Sequence, residues 1–177
     1  MPSPVAHGIA GGCIALLAAR RLPAAGSLPV AAALLIAANL PDLDLLALAA
    51  GRAAMERLHQ GPLHSLGFVA AATAALALTL RRRLGLPQAW LLLAGAGLTH
   101  LLLDLLVADR KPPIGFPFFW PLSSALFHAP VEIFPGVDRA DVFSARNLRE
   151  LLVELGWGLP ALLIAARWPR PRQRSHP

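Results

Sequence analysis

The chain has 177 residues, enough for one domain or for four to six membrane helices with short connections. Apolar residues make up 56% and charged residues 15%, at a mean hydropathy of +0.57, which excludes both an ordinary soluble domain of about 25% charge and a disordered chain. The lone cysteine, Cys13, allows neither an internal disulfide framework nor a cysteine-ligated metal knuckle, so the class left is a small, all-α, polytopic membrane protein.

Charge-free windows lay out the plan: residues 2–19, 22–41, 58–80, 84–103, 112–131 and 155–166. The first four approach the roughly 20 residues that cross a hydrocarbon core of about 30 Å. The fifth holds five prolines, at 112, 113, 117, 121 and 130, and cannot be one regular helix. It reads as a loop after helix four, and its aromatic stretch Phe116-Pro-Phe-Phe-Trp-Pro121 suits an interfacial belt or an apolar lip over a site. The sixth spans only if it starts near Leu148 and tolerates Glu150 and Glu154. The expectation is a single bundle of about five transmembrane helices over residues 1–169, with a disordered basic tail from 170 to 177 that includes His176. Gly8-xxx-Gly12 and Ala15-xxx-Ala19 read as close helix packing in lipid.

Of the 16 bases, 15 are arginine, scattered between apolar runs as flanking charges of membrane helices, so no nucleic-acid partner is expected. The N-terminal sequence lacks the basic start of a cleavable signal. Five crossings place Arg20, Arg21, Arg81, Arg82, Arg83, Arg167, Arg170, Arg172 and Arg174 on one face, which has no acid. The opposite face carries seven bases (Arg52, Arg57, Arg110, Lys111, Arg139, Arg146 and Arg149) and all ten acids, a net charge of −3. Short basic loops stay cytoplasmic, so the acidic face should look outward from the inner membrane.

Ionisable groups inside apolar segments cost about 2.5–3.5 kcal/mol each and by default mark function. Here they are His7, the Asp42-Leu-Asp44 pair after Pro41, His59 and His64 in HQGPLHS, and His100 with Asp104 in THLLLD. A helix over residues 89–108 stacks His100 and Asp104 one turn apart on one face, where they can grip one divalent ion. Taken singly, each has a plain structural use: a helix cap for Asp42 or Asp44, a His–Asp hydrogen bond for the HxxxD pair, an interfacial histidine for His7. Taken together, all seven lie toward the same outward helix ends, which favours a metal site. Imidazole and carboxylate without thiolate suit zinc first, and also manganese, iron or nickel, as one ion or two. His128 and Glu132 repeat the i, i+4 spacing around Pro130, and their role stays open.

The order of these motifs resembles the YdjM/YbcI-type inner-membrane family, described as membrane-bound metal-dependent hydrolases. That family shows an early His, then PD-[IL]-D, H-R-G-x-T-H-S, an H-x-x-x-D helix and W-P. Here they stand as His7, Pro41-Asp-Leu-Asp44, His59-Gln-Gly-Pro-Leu-His-Ser65, His100-xxx-Asp104 and Trp120-Pro121. Gln60 and Leu63 depart from the family's Arg and Thr, which bears on anion binding and so on the substrate. The same order is also similar to the metal pattern of helical zinc-dependent phospholipase C enzymes. The resemblance implies metal-assisted hydrolysis, and the location of the site at headgroup level suggests a phosphoester, free or of a lipid, as the substrate. His7, Asp42, Asp44, His64, His100 and Asp104 would then be ligands, with Asp44 and His59 the catalytic pair, and activity should fall below about pH 6. Two rival readings are a metal or proton pathway, which uses the same buried groups, and a non-catalytic membrane scaffold.

Overall fold

A computed structural model describes residues 1–108, 114–138 and 143–170. The tail from residue 171 onward lies outside the described residues, as do Arg110, Lys111, Pro112, Pro113 and Arg139. Among the described residues the chain is helical throughout its regular structure, with six α-helices and no strand.

Helix α1 runs Pro4–Arg21. Ser3 caps it by accepting from the Val5 N–H at 3.2 Å, and Pro4 sits where its missing N–H costs nothing. Arg20 and Arg21 occupy the last turn, the end that favours cations. The Arg20 guanidinium also donates to the carbonyls of Ala166 and Trp168. After a 3₁₀ turn at Pro23–Gly26, α2 covers Leu28–Asn39. Pro41 has no N–H to offer the Ala37 carbonyl, so α-helical bonding stops there. The chain continues as a 3₁₀ segment over Leu40–Ala50, and the two pieces together form one apolar rod of 23 residues. Helix α3 (Arg52–Leu58) is short. Helix α4 (Leu66–Leu84) and helix α5 (Leu86–Leu105) form a hairpin that turns at Gly85, φ 75°. Helix α6 spans Ala145–Arg167, capped by Ser144 and carrying Pro160 in its interior. Two rods, Leu28–Ala50 and Leu86–Leu105, are long and apolar enough to cross a membrane.

The expected Pro/aromatic loop after helix four is present as non-helical chain, held by isolated bridges between Phe116 and Phe127 and between Val107 and Phe134. Three details differ from expectation. The short α3 is a sixth helix, in the stretch between the charge-free windows that end at residue 41 and begin at residue 58. The start of α2 is delayed to Leu28 because Pro23 and Gly26 tighten the chain into a turn first. Close packing of α1 uses Gly11 rather than Gly8: a Cβ on Gly11 would meet the Ala38 Cβ at 2.9 Å, whereas Gly8 faces open space. Gly97 of α5 plays the same part, with Val69 2.7 Å from where its Cβ would be.

The interior combines small residues (Ala33, Ala37, Ala38, Ala77, Ala89 and Ala96) with Val30, Leu34, Leu93 and Leu101, while Leu28, Ile36, Leu91, Leu102, Leu152 and Trp157 point outward. In water such an apolar exterior would aggregate; in lipid, where helices associate by close backbone approach, it is the stable arrangement.

Candidate metal centre

The 3₁₀ segment sets the angle between its two aspartates. With three residues per turn, positions i and i+2 sit about 120° apart, against about 160° in an α-helix. Asp42 and Asp44 therefore both turn inward, while Leu43 between them is 45% exposed. His64 arrives from the loop before α4. Ser65 closes that loop, donating to the Pro62 carbonyl at 2.6 Å and accepting from the Phe68 N–H at 3.1 Å. His7 comes from the second turn of α1, and His100 and Asp104 from the last turns of α5.

These side chains meet. Asp104 Oδ2 lies 3.3 Å from His100 Nε2 and 3.4 Å from His64 Nε2, and its Oδ1 lies 3.6 Å from His7 Nε2. Asp42 Oδ1 is 3.7 Å from both His64 Nε2 and His100 Nε2. The His7 and His100 rings stack with centroids 3.7 Å apart. Three overlapping triads (His7–Asp42–His100, Asp44–His59–His64 and His64–His100–Asp104) each bring one donor atom per residue within 4.8 Å of the others. Buried His/Asp groups in this arrangement could hold a metal ion.

Hydrogen bonding separates the members. His100 Nδ1 donates to the Ala38 carbonyl at 2.8 Å. That bond fixes the tautomer, so the Nε2 lone pair faces the carboxylates of Asp42 and Asp104. Both nitrogens of His7, Nε2 of His64 and of His100, and all four carboxylate oxygens of Asp42 and Asp104 are buried without a hydrogen-bond partner. The His100 Nε2 lone pair turned on the Asp42 and Asp104 carboxylates in a dry interior is repelled by them, and unpaired buried polar groups are costly. A cation among them removes both penalties. Asp44 is different: Oδ1 is 3.1 Å from His59 Nδ1, and Oδ2 accepts from the Gln60 N–H at 3.2 Å and lies 3.2 Å from His64 Nδ1. Gln60 adopts φ 57° to present that N–H.

The His64 imidazole shows the local demand for positive charge. Burial alone would favour its neutral form, but Asp42, Asp44 and Asp104 outweigh burial and push its pKa up to about 9.

His128 and Glu132 stay apart from the centre. His128 Nε2 donates to the Val107 carbonyl at 2.7 Å, a structural bond, and Glu132 is exposed.

Sequence reasoning treated Glu150 and Glu154 as charges to be tolerated, but both are buried. Glu154 accepts from the backbone N–H and the hydroxyl of Ser3, anchoring the start of α1 one turn before His7. Glu150 accepts from the Gly136 N–H at 2.9 Å. Their i, i+4 spacing, the same as that of His100 and Asp104, was the available signal. Glu154→Ala is expected to destabilise the protein by about 2–3 kcal/mol through loss of charge-assisted bonds and to speed amide exchange over the first turn of α1. Unchanged exchange there would mean that something else holds Ser3.

Residues 1–170 match the family model described as YdjM inner membrane protein. The chain belongs to the YdjM inner membrane protein family. The exposed large apolar side chains and the two membrane-capable rods fit that membership, which places the protein at the inner membrane, in contact with the lipid bilayer. Within the YdjM match fall all seven converging His and Asp residues. Neither a curated protein nor a solved structure matches the chain.

Proposed function

We propose that this YdjM-family protein is a membrane-bound metal-dependent hydrolase acting on a phosphoester, free or on a lipid headgroup. His7, Asp42, His64, His100 and Asp104 hold one divalent ion, zinc before manganese or iron. The observation that carries this reading is the ring of buried donors without partners, with His100 locked by Ala38 into the tautomer that offers Nε2. A second ion at Asp44, His59 and His64 would displace the bonds that already satisfy Asp44, so one ion is the reading.

A bound divalent cation would supply Lewis acidity and lower the pKa of a water toward about 7. The chain's own residues do the rest. Asp44 accepts from His59 Nδ1 and so fixes the tautomer whose Nε2 exchanges a proton with the attacking or leaving oxygen. Asp44 also faces His64 Nδ1, holding that ring so that Nε2 points to the other donors. Asp42, at 9% the most exposed aspartate of the centre, marks the side from which a substrate approaches.

Five crossings, by α1, the α2–3₁₀ rod, α4, α5 and α6, with the arginine-rich ends cytoplasmic, put this centre on the outward side as one membrane-embedded unit. An ion pathway is the weaker reading. Among the described residues, the buried ionisable side chains (the centre, Glu150 and Glu154) come from the outward ends of their helices, while Ala77, Leu80, Ala89 and Leu93 fill the opposite half.

Protein stripped with chelator and reloaded with zinc is expected to release p-nitrophenol from a soluble nitrophenyl phosphodiester only in the loaded form. His59→Ala should lower kcat by about 10²-fold or more while the ion stays bound. Turnover by stripped protein, or zinc uptake into proteoliposomes without turnover, refutes the reading.

A further inference from the structure

The centre is roofed by a segment that is neither helix nor strand. From Ile114 to Val131 the chain carries no Asp, Glu, Lys or Arg, and its prolines and turns keep it from crossing the bilayer. It is nonetheless fixed in place. Phe116 and Phe127 exchange backbone hydrogen bonds of 3.2 and 2.9 Å, while the carbonyls of Phe118 and Trp120 accept from the N–H groups of Leu66 and Gly67 at 2.9 and 3.1 Å. Those two N–H groups open α4, directly after His64 and Ser65. A Cβ on Gly67 would meet Pro121 and the Trp120 carbonyl at 2.5 Å, so the segment lies as close to the helix as backbone allows.

Aromatic rings connect the centre with the outer surface of this segment. Phe116, 1% exposed, sits edge-on to His64 with centroids 6.0 Å apart. Phe118 follows at 6.1 Å, Phe119 at 5.0 Å and Phe127 at 4.8 Å, each measured from the ring before it. The outer members Phe119 and Phe127 are 41% and 40% exposed, beside Leu126 at 47% and Leu122 at 93%. Such an apolar surface has no partner in water, and the adjoining rods present their own large apolar side chains to lipid. Phosphoesters reach proteins either dissolved in water or attached to a hydrocarbon tail. The side chains packed between His64 and the outer face of this segment are aromatic and apolar, which suits the second source.

We propose that this lip seats the hydrocarbon tail of the substrate, so that the phosphoester reaches the centre as the headgroup of an amphiphile taken from the surrounding lipid. The inference rests on the hydrolase reading for the headgroup chemistry; the tail site rests on the lip alone.

The test compares binding of methyl phosphate and octyl phosphate to zinc-loaded protein in nanodiscs, by calorimetry. Each methylene removed from water is worth about a fourfold gain, part of which the bilayer itself supplies. Octyl phosphate is expected to bind at least about tenfold more tightly than methyl phosphate. Phe119→Ser/Phe127→Ser should shrink that ratio to about twofold, with zinc content and methyl phosphate affinity unchanged. Because these rings touch others, Leu122→Ser/Leu126→Ser, which alters only outward side chains, should shrink it in the same direction. Equal binding of the two esters, binding of neither, or a ratio that survives both variants overturns the proposal. Release of alcohol from the esters is measured separately. Tail-dependent binding without release would sink the hydrolase reading and keep the lip, while release with no dependence on the tail would do the reverse.

Discussion

Asp104→Asn is expected to lower zinc affinity well beyond the about 10–100-fold that losing a ligand's orienting partner costs, and to leave purified protein without bound metal. Among the described residues, Asp104 is the one carboxylate within 3.6 Å of three imidazoles, those of His7, His64 and His100. It is 3% exposed, so no water stands ready to replace it. Asp44→Asn makes the informative contrast. Its oxygens already take the His59 and Gln60 hydrogens, so its loss loosens His64 and His59 without removing a donor. That variant should keep its ion with affinity reduced by about 10–100-fold. Thermal melting with and without zinc provides a second readout. An ion present at about a thousand times its dissociation constant stabilises the fold by about 4 kcal/mol; the shift should persist in Asp44→Asn at higher zinc and vanish in Asp104→Asn. Equal losses in both variants would make Asp44 a ligand and argue for the second ion.

The contrast between these two aspartates also shows where sequence reasoning stops. PDLD, the two histidines of HQGPLHS and THLLLD were visible as costly residues in apolar runs. The order of charge-free stretches suggested that these groups gather at one end, and in the structure their side chains do meet. How each member of the cluster is hydrogen-bonded was not visible, since it depends on the Ala38 carbonyl reaching His100 and the Gln60 N–H reaching Asp44, contacts between segments far apart in sequence. The 3₁₀ segment was hidden for a related reason. Pro41 announces an interruption, but whether the chain then turns away or tightens depends on what packs against it. Glu154 was misjudged because a buried acid in a weakly apolar helix looks like a flaw until Ser3 is found beneath it. Likewise the GxxxG spacing named Gly12, which does meet Leu162 of α6, but only the position of Ala38 reveals the closer approach at Gly11.

Zinc affinity is expected to rise about tenfold per pH unit from near pH 6.5 until it levels off near pH 9, with about one proton released per ion bound at pH 7. His64 carries this dependence. Its imidazole ordinarily titrates at 6.5, and facing three aspartates in the ion-free protein it holds its proton up to about 9. An ion that takes Nε2 must displace that proton, and a single displaced proton gives a factor of ten per unit. Folding stability of the ion-free protein should run the other way. A raised histidine pKa stabilises the fold fully below 6.5, and that contribution is lost as pH climbs through 9. Stripped protein should thus melt lower at pH 9 than at pH 6, while zinc-loaded protein gains. Calorimetry in two buffers of different ionisation enthalpy reads the proton count directly. His64→Gln should abolish both the release and the slope; proton release that survives this substitution would place the proton on another residue and remove His64 from the ligand set.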